Sequence, residues 1–134
     1  MTSIITYQGQ LRTSSIHLQS GTILISDAPT DNHGKGEAFS PTDTVANALG
    51  SCMFTVMGIK AEQHGVNLAG SEARITKHMA DAPRRIAAIT VEFRMKGVAD
   101  HKMKEILERT ALHCPVLLSL HPDIKKEVTF DWQS

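Results

Sequence analysis

The stretch from Ser40 to Gly58 constrains this chain most: Ser40-Pro41-Thr42-Asp43 opens an apolar run with Cys52 inside it. Ser40 suits a helix cap. Pro41 suits the first helical position, where its missing N–H would be unpaired anyway, and Asp43 completes a Ser-x-x-acid box. The pattern predicts a helix from Pro41 to about His64, with Gly65 as its stop. Counting at helical spacing from Cys52 meets Leu49, Ala48 and Val45 in one direction and Val56 and Ile59 in the other. The thiol is therefore expected on the buried face, in a largely apolar wall. Free cysteine also packs as a small hydrophobe, so by itself this pattern fits a core residue.

The only other cysteine, Cys114, lies in Thr110-Ala111-Leu112-His113-Cys114-Pro115-Val116-Leu117-Leu118. Pro115 cannot continue a helix without losing a hydrogen bond, so the chain is expected to break there and restart with Cys114 as the cap of a new turn. A helix N-terminus favours thiolate, and with His113 adjacent it is expected to lower the Cys114 pKa. Two thiols on two apolar helical faces suggest a redox pair.

Other signals are weaker. Seven histidines are scattered without the spacing of zinc ligands, so neither metal nor cofactor is expected. Gly50-Ser51-Cys52 lies inside the predicted helix and lacks the Gly-x-Ser-x-Gly elbow of a serine hydrolase. Gly34-Lys35-Gly36 lacks the rest of a phosphate loop.

Length and charge limit the remaining classes. The 134 residues suit one domain, 1–134, large enough to bury a core without staples. Lysine plus arginine equal aspartate plus glutamate at 14 each, which gives no reason to expect nucleic acid as a partner. No run is long enough to span a bilayer and the N-terminus lacks a signal-peptide pattern, so a cytoplasmic location and no membrane partner are expected. Two cysteines do not make a disulfide framework; in a reducing compartment such a pair is catalytic, sensing or simply buried.

Residues 3 to 9 and 15 to 26 read as two or three opening strands, followed by a turn-rich loop from Asp27 to Glu37. After the first helix a strand is expected near Ser71 to Met79, then a turn at Asp81-Ala82-Pro83. Ile89, Val91, Phe93 and Met95 next alternate with polar residues as a strand with one wet face. Met103, Ile106, Leu107 and Leu112 mark a second amphipathic helix, Cys114 to Leu120 a short third segment, and Val128, Phe130 and Trp132 a final strand. Strands grouped at start, middle and end without regular βαβ alternation argue for α+β with a mostly antiparallel sheet. The first helix is apolar nearly all round, which calls for cover beyond one sheet, and a second subunit could supply it.

Phe39-Ser40-Pro41 through Ala48-Leu49-Gly50-Ser51-Cys52, followed by His113-Cys114-Pro115-Val116, resembles the OsmC/Ohr family of thiol-dependent hydroperoxide reductases. The resemblance covers nearly the whole chain, with the elements in family order. It implies an OsmC-like fold: an intertwined homodimer, its two long cysteine-bearing helices central and its sheets outside. It also implies a stress-defence peroxidase acting on organic hydroperoxides. Cys52 would become a sulfenic acid, Cys114 would close a disulfide with it, and a dithiol reductant would restore both. The apolar Met53, Phe54 and Leu117 would favour alkyl chains.

Ionising a thiol in apolar surroundings needs a nearby cation, since burial alone raises its pKa. Family members use an arginine from the opening strands, held by an acid at the start of the cysteine helix. Arg12 is the positional match, with Lys35, Arg84 and His113 as substitutes. The acid departs from the pattern: Thr42 stands where Ohr-type members carry glutamate, and Asp43 follows one residue later. Asp43 either holds the cation or serves only the capping box. The departure leaves open a second reading, an OsmC-like protein that binds small apolar ligands or senses redox state without efficient turnover. A third reading has both thiols as inert packing.

Overall fold

The computed structural model describes residues 1–133. They form two compact units, Met1–Val45 and a second beginning at Ala46. In the first, β1 (Ser3–Gly9), β2 (Arg12–His17) and β3 (Ile23–Asp27) make an antiparallel sheet in that order. Its register opposes Ile4 to Ile16, Ile16 to Ile23 and Arg12 to Asp27. The strand period of two therefore puts the three isoleucines and the Arg12–Asp27 pair on one face. Ile4, Ile5, Tyr7, Ile16, Ile23 and Leu24 all remain exposed.

Helix α1 (Pro41–Gln63) begins where the sequence signals it. The Asp43 amide donates to Ser40 Oγ and the Ser40 amide to Asp43 Oδ2, both at 3.0 Å, so the capping box is closed in both directions. At the other end Gly65, at φ +67°, takes the left-handed conformation. Val66 N–H then donates to Ala61 and Gly65 N–H to Glu62, the paired bonds that satisfy the last carbonyls of a helix.

In the second unit β4 (Glu72–Ala80), β5 (Arg85–Met95) and β6 (Lys125–Trp132) form a sheet with β5 central, antiparallel to β4 and parallel to β6. The sheet is therefore mixed. The β5–β6 connection is a crossover through α2 (His101–Ala111) and α3 (Pro115–Ser119), because parallel neighbours cannot be joined by a tight turn. Asp100 caps α2 by accepting the Met103 amide at 3.2 Å.

The core lies between these helices and the sheet. Ile89, Val91, Phe93 and Met95 face inward from β5, while Glu92 and Arg94 face water. From α1 the buried residues are Ala46, Leu49, Gly50, Met53, Met57 and Ala61, and from α2 Met103, Leu107 and Ala111. Each large aliphatic or methionine side chain so enclosed contributes about 1.5–3 kcal/mol. At Gly50 a Cβ would stand 2.6 Å from Ile75 Cδ1, so the missing side chain lets helix and sheet approach.

Four expectations need correction. The deepest ridge of α1 runs through Leu49, Met53 and Met57, about 100° round the helix from Cys52, which is half-buried at the ridge's border. Val45 and Ile59, placed on the buried face by counting from the thiol, are exposed. Leu112 lies past the end of α2 and is exposed, and Ala111 takes the inward position. The second cysteine is carried not by a long helix but by the break between an 11-residue and a 5-residue one.

Candidate active site

The fold brings the two thiols of the second unit together. Cys52 projects from the middle of α1, and Cys114 occupies the N-cap of α3 with Pro115 at the first helical position. Cys52 packs against the core cluster that contains Cys114, and its thiol is near enough to help push that of Cys114 up. Cys114 is fully buried, and its Sγ accepts the Leu117 amide at 3.4 Å.

The expected effect of the helix start on Cys114 is outweighed. Burial pushes its pKa up, because the thiolate would lose its hydration, and the Leu117 amide offsets only part of this. His113 gives no help from its own position. It is exposed, and its Nδ1–H donates to the Arg109 carbonyl at 2.8 Å, so the ring is tied back along α2.

Of the apolar residues expected near the thiols, Leu117 is half-buried and bonded through its amide to Cys114. Met53 is enclosed in the core at 0 % exposure. Phe54 is two residues on from Cys52, about 200° round the helix. It packs edge-to-face on Phe93 at 4.9 Å and lines a recess of about 280 Å³ with Asn47, Ser51, Ala73 and Ile75. Those two side chains leave the Cys52 side of α1 and belong to its other flanks.

Arg12 and Asp43 belong to the first unit. The Arg12 guanidinium makes a two-point contact with Asp27, Nε to Oδ1 at 2.7 Å and Nη2 to Oδ2 at 2.8 Å, and reaches Glu37 at 3.2 Å. The carboxylates gripping it thus come from the end of β3 and the following loop, where the resemblance implied an acid at the start of α1. The sequence pattern places Asp27 at the start of a loop, whereas in the structure it ends β3. It is 1 % exposed and also accepts the Glu37 amide. Its cross-strand position opposite Arg12 was the signal available in the sequence, hidden until the register was known.

Hydrogen bonding to Arg12 holds the Asp27 carboxyl below its ordinary value, while Asp27 raises that of Arg12. Because the folded pKa of Asp27 is depressed, its stabilising effect is complete above the unfolded value of about 3.9 and is lost as pH falls through the folded value. The Tm of the wild type is therefore expected to exceed that of Asp27→Asn at pH 7, and the difference to shrink as acidification passes the folded value. A pH-independent gap in calorimetry would contradict this.

Among the described residues, no group of three or more His, Cys, Asp or Glu side chains could hold a metal ion. No helix among them is long and apolar enough to cross a membrane.

A half-buried thiol on a long helix and a buried one at a helix break, packed on one core within an α+β fold, define a class of small two-cysteine proteins. Residues 34–129 match the OsmC-like protein family, and the chain belongs to it. A crystal structure from Psychrobacter arcticus 273-4, provisionally described as an osmotic stress induced and detoxification response protein, is similar at 51 % identity. It has a TM-score of 0.94, and the match covers 97 % of this chain and 95 % of that one. An organic hydroperoxide resistance protein OsmC from Legionella pneumophila shares the fold at 15 % identity and TM-score 0.75, with 98 % and 97 % covered. An OsmC-like protein from Mycoplasma pneumoniae does so at 13 % identity and TM-score 0.81, with 98 % and 96 % covered. No match was found among curated proteins.

Proposed function

We propose that this protein is a thiol-dependent peroxidase that reduces organic hydroperoxides. The observation carrying this reading is the packing of Cys52, on α1, against the core cluster that holds Cys114, within one unit. The Cys52 thiolate attacks the outer oxygen of the hydroperoxide. The O–O bond breaks, the alkoxide leaves as alcohol after taking a proton, and Cys52 becomes a sulfenic acid. Cys114 then attacks the Cys52 sulfur, the S–S bond forms and water departs. A dithiol reductant returns both thiols and becomes a disulfide itself.

Homodimerisation is part of the proposal. Ile4, Ile16 and Ile23 on one face of the first sheet, and Ile5, Tyr7 and Leu24 on the other, are apolar and exposed in a single copy, as an assembling surface requires.

Anaerobic titration of the reduced protein with one equivalent of cumene hydroperoxide tests the reading. The expected result is rapid loss of both thiols with a mass decrease of about 2 Da, as for disulfide formation. Thiols that persist for many minutes would instead support the second reading, an OsmC-like protein that binds apolar ligands or senses redox state without efficient turnover. That reading is favoured by the engagement of Arg12 with Asp27 and Glu37.

A further inference from the structure

Helix α3 has five residues, none of them fully buried, and so cannot stand by its own propensity. Its first free amides belong to Val116 and Leu117, since Pro115 has none. The Leu117 amide donates to the Cys114 sulfur. From Leu118 onward the amides are satisfied by backbone carbonyls, that of Leu118 by Cys114 itself at 3.2 Å. The sulfur of a reacting residue is thus the side-chain cap of the helix that follows it.

Disulfide closure would set the two free sulfurs about 2.05 Å apart. One side must move. Cys52 is held in a 23-residue helix between the fully buried Leu49 and Met53, whereas Cys114 lies at a break that Pro115 keeps out of the α2 hydrogen-bond ladder. The displacement falls on Cys114, and its sulfur turns from Leu117 toward Cys52.

We infer that closing the Cys52–Cys114 disulfide uncaps α3 and opens it, exposing Cys114 to a dithiol reductant. This rests on the disulfide proposed above and adds a means of reversing it. A thiolate attacking Cys114 breaks the S–S bond and releases Cys52 as thiolate; the reductant's second thiol then closes its own disulfide and frees Cys114 as thiol. In the reduced form Cys114 is enclosed at 0 % exposure and no reductant could reach it.

Hydrogen exchange of the full chain, reduced and after one equivalent of cumene hydroperoxide, tests this, with intact mass recorded on the same samples. Amides in residues 116–120 should exchange about fivefold to tenfold faster in the oxidised form, the change that losing one net hydrogen bond brings. Those of β5 should be unaltered. Cys114→Ala, which lacks the cap, should exchange fast in α3 before any peroxide is added, and protection equal to the reduced wild type would overturn the capping role. A mass loss of about 2 Da with α3 exchange unchanged overturns the opening alone. Absence of that mass loss overturns the disulfide and the opening together.

Discussion

Cys52→Ser is expected to abolish hydroperoxide consumption, with the rate falling roughly a thousandfold or more, as when an enzyme loses its nucleophile. A serine hydroxyl neither ionises near neutral pH nor accepts an oxygen atom, so no later step can rescue the first. Cys52 is half-buried at the border of the core ridge, and serine there should cost only about 1 kcal/mol. The circular dichroism spectrum should therefore be retained. Cys114→Ser should fail differently, consuming one equivalent of cumene hydroperoxide and stopping at the Cys52 sulfenic acid. A Cys52→Ser protein that still turned over peroxide would sink the assignment of the nucleophile.

Phe93→Ala is expected to produce the largest loss of stability. Phe93 is 1 % exposed on the central strand β5, stacked on Phe130 at 5.0 Å and edge-on to Phe54 at 4.9 Å. Alanine removes the ring and leaves a cavity between helix and sheet, at a cost of about 3–5 kcal/mol. Against a total stability of about 5–15 kcal/mol this is a large share, corresponding to a Tm lower by about 10–20 °C. Urea unfolding followed through Trp132, itself stacked on Phe130, should show a lower midpoint at an unchanged slope. A midpoint shift equivalent to less than about 1 kcal/mol would mean the site collapses around the alanine.

Legibility in the sequence followed the range of the interactions. The α1 start, its stop at Gly65, the alternation along β5 and the restart at Cys114 were all readable, because each depends on residues within a few positions. Whether β5 and β6 run parallel was not, since pairing direction depends on the path of the crossover and leaves no local pattern. The face of α1 was misjudged by counting from the cysteine. An all-round apolar helix has no single moment to read, and the side pressed on β5 is fixed only by packing.

The local chemistry of Ser40, Pro41, Asp43, Gly65 and Pro115 determined where the helices begin and end, and the two cysteine contexts determined the family. Tertiary structure alone decided the electrostatics. It placed Asp27 against Arg12 through strand register, and it buried Cys114 deeply enough that desolvation overrides the helix start. The reason is physical: capping and backbone preference act over one turn of chain, whereas burial and ion pairing depend on neighbours that only folding supplies.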